Sequence, residues 1–391
     1  MQLEPLAYHV AVADLLQRAE PELWKWFASD AFAEKYKIAT DADLLKTAIR
    51  LDRTGPNERR YALAEQARDK LGLSVPIKLH QMQASDGAPN ACLVYTPGEI
   101  VIVFAGRILE LLITDAELLD LLGHEISHYK LLDEAGGRFH IVDRLLVWLI
   151  QRDNCPAEFF ETWRRNRLYT EIYCDIGGLI ACGDRSATIA GLVKSIADFK
   201  DADAASYLTQ ARDILALGAQ AARSRGVTHP ELHVRVLAIA AADQDRIEAL
   251  EPLIQELISG TIELGALDLI DQQSLRSLSR KLLDRLLGPG SAPSEEALAH
   301  ARQIFHDYKP PSDDVAPLAD ETKRLSASTI DYLVYLMLDF GTLDGASSRQ
   351  ALAVAATAAD ELGCGARFRE IARLELKGRR TLLTALTDRA A

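Results

Sequence analysis

The hydrophobic period departs from 3.6 in only one stretch of this 391-residue chain, residues 75 to 104, and that confines any sheet to a single small one. Val75, Ile77 and Leu79 alternate with polar or small residues. Ala91 to Tyr95 and Ile100 to Phe104 are short β-branched or aromatic runs separated by Thr96-Pro97-Gly98-Glu99. These runs predict a strand followed by a hairpin. Directly afterwards, Thr114-Asp115-Ala116-Glu117 has capping-box spacing before LLDLLGHEISHYKLL, which predicts a helix of about five turns.

The rest of the chain reads as helix. Residues 1 to 70 carry apolar positions at three- and four-residue spacing in LAYHVAVADLLQRA and DADLLKTAI, with a break at Thr54-Gly55-Pro56-Asn57. The segment from Gly136 to Arg167 contains LLVWLI, but Asp143, Arg144, Arg152 and Asp153 mark it as a covering helix and loop rather than a buried span. Another helix is expected from about Thr162 to Ala181, where Gly177-Gly178 either permits close packing or ends it. Beyond residue 185 helix is interrupted at Gly226 to Pro230, Gly288 to Pro293 and Pro310 to Pro317. The expected organisation is an α+β, mostly α chain. It has a helical region at 1–70, a core domain at 71–250 and a helical C-terminal domain at 251–391. No 20- to 50-residue repeat is visible, so a solenoid is not favoured.

The chemistry concentrates in His124-Glu125-Ile126-Ser127-His128, an HExxH inside the predicted helix. Residues four apart lie one turn apart on one helix face, so the two imidazoles can converge on one ion. Glu125 is rotated off that line and can reach a metal-bound water without binding the metal. A catalytic zinc site needs a third protein ligand and an open fourth position. Glu171-Ile172-Tyr173-Cys174-Asp175 offers one: Glu171 as ligand, with Asp175 accepting the free ring N–H of a ligand histidine. Taken alone, such a pair is equally a solvated acidic face. In Thr228-His229-Pro230-Glu231-Leu232-His233-Val234-Arg235, His229 could hydrogen-bond a developing oxyanion and Arg235 could pair with a site carboxylate. An ordinary helix start with a surface histidine has the same spacing.

In this order, HEISH, EIYCD and THPELHVR resemble zinc metallopeptidase family M48, the group of HtpX-type and CAAX prenyl proteases. That family's pattern is an HExxH, an ExxxD that supplies a glutamate ligand, and a later His-Pro with an Arg six residues after the His. Asn90-Ala91, the hairpin after it and Gly106-Arg107-Ile108-Leu109 also look like its approach to the active-site helix. The resemblance spans roughly residues 70 to 245 and implies a zincin-like core of the gluzincin type. One zinc ion (Zn2+) per chain would be held by His124, His128 and Glu171, with Glu125 as general base and Asp175 behind His124. The implied activity is that of a soluble zinc metalloendopeptidase acting on protein or peptide. Its substrate would lie extended along the sheet edge near Asn90, with His229, Tyr169 or Tyr173 at the oxyanion. Two departures stand out. The membrane-bound relatives' transmembrane helices have no counterpart here, and the alanine that usually precedes the Asp of ExxxD is Cys174, either a small core residue or a thiol that competes for the metal.

Composition narrows the partners. A net charge of -13, from 44 Lys+Arg against 57 Asp+Glu, repels phosphate backbones and acidic lipid, so neither nucleic acid nor membrane is an expected partner. The longest run without Asp, Glu, Lys or Arg is the 12 residues from Gly87 to Gly98, whereas a spanning helix needs about 20. The N-terminus lacks a basic n-region, and the five cysteines, Cys92, Cys155, Cys174, Cys182 and Cys364, are scattered without a CxxC. A cytoplasmic protein with reduced thiols is expected. Arg164, Arg165 and Arg167 read as a solvated helix face or as a guide for acidic peptide segments. Asp339-Phe340-Gly341 matches a kinase tripeptide without the motifs that should precede it. Residues Asp331 to Leu376 weakly resemble TerB-type helical modules through Asp344-Gly345, with no metal site implied. The rival reading is a zinc-stabilised, non-catalytic scaffold whose helical C-terminal region binds a protein partner. Glu125 argues against it, since a structural site has no use for that carboxylate. An aminopeptidase would need a GxMEN-like amine anchor before His124, and none is present.

Overall fold

Alternation and β-branching place three of the four strands. The computed structural model describes residues 3–83, 88–242, 247–289, 291, 293–343 and 348–377. In it, β1 (Ala48–Arg50), β2 (Ile77–Met82), β3 (Asn90–Thr96) and β4 (Glu99–Ala105) form one mixed sheet in the order β1-β2-β4-β3. β2 and β4 are parallel, with Ile77 opposite Ile100, while β1–β2 and β3–β4 are antiparallel. Central β4 is buried from Ile100 to Phe104, which is why its sequence is a continuous apolar run rather than an alternating one. The hairpin turns at Pro97-Gly98, where Gly98 has φ 82°. The Gly98 N–H donates to the Tyr129 hydroxyl at 3.2 Å, tying the hairpin to the helix behind it. β1 corrects the helical reading of residues 1–70: Ala48-Ile49-Arg50 leaves the preceding helix to pair with β2. Three residues are too few for periodicity to register. The Tyr61 hydroxyl fixes this edge, donating to Leu51 O at 2.9 Å and accepting from Leu79 N–H at 3.1 Å.

The chain divides into two compact units, Met1–Gly260 and Thr261–Ala391. The first holds the sheet and helices α1 (Ala7–Ala19), α2 (Pro21–Phe27), α3 (Asp30–Thr47), α4 (Pro56–Lys70), α5 (Ile108–Leu111), α6 (Asp115–Ile150), α7 (Ala157–Cys182), α8 (Arg185–Ala197), α9 (Ala204–Ala216), α10 (Ala219–Ala222), α11 (Leu232–Ala241) and α12 (Glu251–Ile258). The second holds α13 (Leu269–Leu287), α14 (Glu295–Ile304), α15 (Ala327–Thr342), α16 (Ser348–Glu361) and α17 (Gly365–Glu375) around Leu282, Leu333, Met337, Leu352 and Phe368. Phe340 of the kinase-like tripeptide is buried in α15 and Gly341 packs on Leu352, while Asp339 is exposed, so the Phe-Gly pair is core. Asp344-Gly345 lies outside the described residues. Among the described residues no helix is long and apolar enough to cross a membrane.

The capping box forms as its spacing predicts. Thr114 Oγ1 accepts from Glu117 N–H at 3.2 Å, and the Glu117 carboxylate accepts from Thr114 N–H at 3.3 Å. The same carboxylate pairs with buried Lys194 Nζ at 2.6 Å, pinning α8 to the start of α6. α6 is interrupted at Glu134–Gly137, where Ala135, Gly136 and Gly137 have φ of 51°, 72° and 84°. Its first segment is therefore the predicted five-turn helix, and LLVWLI belongs to a second, redirected one.

Gly177-Gly178 packs rather than ends α7. A Cβ on Gly177 would stand 1.8 Å from Ser127 Oγ, and one on Gly178 would stand 2.5 Å from Asp120 Oδ1 and 2.9 Å from Asp120 O. On the facing helix, a Cβ on Gly123 would stand 2.4 Å from Ala181 Cβ. The two helices touch backbone to backbone, which only glycine permits. Gly177→Ala should lower stability by about 1–3 kcal/mol or more through overpacking, read as a drop in the thermal midpoint. An unchanged midpoint would mean that α6 and α7 are not this close.

Candidate active site

That contact brings the motifs together. α6 presents His124, Glu125 and His128; α7 presents Glu171 and Asp175; the turn before α11 presents His229, and α11 presents Arg235. All of them line one cleft of about 690 Å3. The two oxygens of Glu171 face the two imidazoles, Oε2 at 3.6 Å from His124 Nε2 and Oε1 at 3.7 Å from His128 Nε2. His229 Nε2 stands 3.6 Å from Glu171 Oε1, its ring largely exposed and its Nδ1 2.9 Å from Thr228 Oγ1.

Behind this group lies a buried chain of charge-assisted bonds. Arg235 donates to Asp175 through Nε at 2.8 Å and Nη2 at 2.5 Å, and its Nη2 is also 3.5 Å from Glu171 Oε2. Asp175 Oδ1 lies 3.0 Å from His124 Nδ1. This bond keeps a proton on Nδ1, so that the proton a metal would displace is the one on Nε2. Burial opposes ionisation of Asp175, but the Arg235 charge and hydrogen bonds override it and hold the carboxyl down at about 2. Burial likewise disfavours a charged His124, yet its bond to Asp175 and the nearby carboxylates raise it to about 9. Burial pushes His128 down to about 4. Glu171 is held below its ordinary value against burial by Arg235 and the three histidines. Burial pushes Glu125 up to about 7, with His124 opposing and Glu171 adding to the rise.

The donors suit zinc. Tetrahedral zinc with bonds of 2.0–2.1 Å separates its ligand atoms by about 3.3–3.4 Å, so distances of 3.6 and 3.7 Å need to close by a few tenths of an ångström. Two imidazoles and an ionised carboxylate form a known zinc-binding set. Cys174 is a second possible third donor, since its Sγ and a ring nitrogen of each histidine lie within 4.8 Å of one another. Burial and then Glu171, Glu125 and Asp175 push this thiol well above its ordinary value. It sits as a buried protonated group beneath the site while Glu171 is already anionic, so Glu171 is the better ligand.

Asn90 stands at the cleft end of β3, with its Oδ1 accepting from Ala91 N–H at 2.9 Å. Tyr169 and Tyr173 do not line the cleft. Both are buried, Tyr169 stacked on Tyr8 with its hydroxyl 3.0 Å from Ser259 Oγ, and Tyr173 edge-on to His9. Neither can serve the oxyanion, because their positions on α7 face the N-terminal helices. Arg164 and Arg165 are not a solvated face either: both pair with Glu161, and Arg164 also donates to Gly226 O at 2.8 Å, holding the turn that carries His229. Sequence reading missed Asp120, which is buried against Gly178 and pushed up to about 8 by burial and by Asp175. Its position one turn before His124 was the available signal.

Residues 56–243 match the family model of peptidase family M48. No curated protein and no solved structure gives a significant match to the chain.

His124→Ala or Glu171→Ala should abolish stoichiometric zinc in metal analysis of the purified chain, and Asp175→Asn should weaken zinc binding about 10–100-fold. Zinc retained in Glu171→Ala would move the third ligand to Cys174, His229 or Asp175. Asp175 also predicts a pH dependence. Its folded pKa is depressed, so its stabilisation is complete above the ordinary carboxylate value of about 4 and fades as pH falls through about 2. Asp175→Asn should flatten the stability profile across that window in acid unfolding of the zinc-free chain.

Proposed function

From the premise that residues 56–243 form a domain of peptidase family M48, we propose that this chain is a zinc metalloendopeptidase with His124, His128 and Glu171 as zinc ligands and Glu125 as general base. The observation that carries this reading is the Glu171 carboxylate meeting both HExxH imidazoles, at 3.6 and 3.7 Å. Zinc bound there supplies Lewis acidity that makes water nucleophilic near neutral pH. Glu125, buried beside His124, takes the proton of the attacking water and delivers it to the leaving amine. His229 reaches the cleft through Nε2 and donates to the developing oxyanion. Asp175 and Arg235 act through His124 and Glu171, holding the first in tautomer and the second in charge.

The substrate is a protein or peptide segment lying extended along the free edge of β3, where backbone pairing positions it without demanding a particular sequence. With its Oδ1 engaged by Ala91, Asn90 offers its amide N–H groups to a substrate carbonyl. The reading places the protein in the cytoplasm, which its five free cysteines suit, and leaves the Thr261–Ala391 unit as a docking module for a protein partner. Glu125→Gln should retain one zinc per chain while losing about 10²–10⁴-fold in turnover of casein or a quenched fluorescent peptide. Turnover at the parent rate would remove Glu125 from the role of base. Hydrolysis that survives a zinc chelator would remove the metal from the reaction.

A further inference from the structure

Past His128 the cleft continues into a region that the proposed chemistry does not use. Its wall is made by Tyr36 of α3, by His140, Asp143 and Arg144 of the second segment of α6, and by Arg167 of α7. Two guanidinium groups share one carboxylate here. Arg144 donates to Asp143 Oδ2 through Nε at 3.0 Å and through Nη2, while Arg167 Nη2 lies 3.3 Å from Asp143 Oδ1. Asp143 is ionised, since Arg144 and Arg167 outweigh its burial, and burial keeps His140 neutral by lowering it to about 4. The wall therefore carries one uncompensated positive charge.

That charge is available on Arg167. Arg144 lies over the Tyr36 ring at 5.5 Å and is engaged twice by Asp143. Arg167 makes one loose contact with Asp143, through Nη2, and its side chain is 39% exposed. Its neighbours Arg164 and Arg165 are consumed by Glu161. The Trp163 ring, 5.9 Å from the Arg167 guanidinium, steadies the group, and Arg167 stands one helical turn before Glu171 on α7, on the side away from Asp175. A guanidinium with unused N–H donors presents a fork that matches a carboxylate.

We propose that Arg167 anchors a substrate carboxylate on the His128 side of the site, so that the enzyme selects peptides carrying that group at a fixed distance from the scissile bond. The carboxylate belongs to a Glu or Asp side chain or to the free C-terminus of the peptide. This inference rests on the peptidase reading and names its substrate class.

The test uses the full zinc-loaded chain and short fluorescent peptides that differ only in Glu, Gln or Lys at successive positions. Each is made with an amidated and a free C-terminus. Binding is measured on Glu125→Gln by fluorescence anisotropy, and cleavage is measured on the parent. At one position an amidated Glu peptide should bind about tenfold or more tightly than its Gln counterpart. If the gain instead follows the free C-terminus of the Gln peptide, the chain end is the source. Adding Arg167→Gln should erase the preference, Arg167→Lys should restore part of it, and Arg167→Glu should turn it towards Lys, a gain that an unfolded variant cannot show. Cleavage of all peptides at equal rates, with equal binding, would overturn the inference and leave the peptidase reading standing. No cleavage of any peptide by the zinc-loaded parent would overturn both.

Discussion

The site depends on the close, glycine-lined contact between α6 and α7. Gly123 on one helix and Gly177 and Gly178 on the other let the backbones meet, and even a methyl group at any of these positions would collide with its neighbour. At ordinary helix separation, 8–10 Å between axes, a glutamate on α7 would have further to reach. At this contact the short Glu171 side chain touches both HExxH imidazoles, and Asp175 reaches His124 from behind. The glycines carry no chemistry, yet they set how closely the α6 histidines meet Glu171 and Asp175.

Bringing carboxylates and imidazoles so close under burial has an electrostatic cost, and Arg235 offsets it. Glu171, Asp175, Glu125 and Asp120 crowd into one region, and burial disfavours the charge on each. Arg235 keeps Asp175 and Glu171 ionised by direct contact. Asp120 and Glu125 lie further from it and shift upwards. The division suits the proposed roles, with the ionised Glu171 and Asp175 as the pair proposed to hold a metal and orient its ligand, and Glu125 as the carboxylate proposed to carry the proton. Buried ion pairs are costly unless each partner is satisfied, and the fork of Arg235 on both Asp175 oxygens satisfies this one.

Local signals made much of this legible. The capping box at Thr114, the hairpin at Pro97-Gly98 and the four-residue spacings of HEISH and EIYCD each lie within one element, so the residues alone predict them. The structure brings His124, His128, Glu171, Asp175, His229 and Arg235 together in the order in which the motifs occur. What sequence could not give is whatever depends on which side of a helix faces which neighbour. Tyr169 and Tyr173 lie on α7 beside Glu171 but point to the N-terminal helices. Of three consecutive-looking arginines, only Arg167 faces the cleft, because Glu161 captures the other two. Asp143 and Arg167 meet only because α6 breaks at Gly136-Gly137 and turns back along α7, and β1 was hidden by its three-residue length.

The central claim is that the HExxH histidines and Glu171 make one metal centre while Cys174 stays beneath it as a buried thiol. X-ray absorption at the zinc edge of the full-length, zinc-loaded chain tests this directly, because oxygen and nitrogen differ from sulfur in both scattering and distance. The account predicts one zinc per chain with only nitrogen and oxygen neighbours at about 2.0–2.2 Å. A sulfur neighbour at about 2.3 Å would put Cys174 in the place assigned to Glu171 and contradict it.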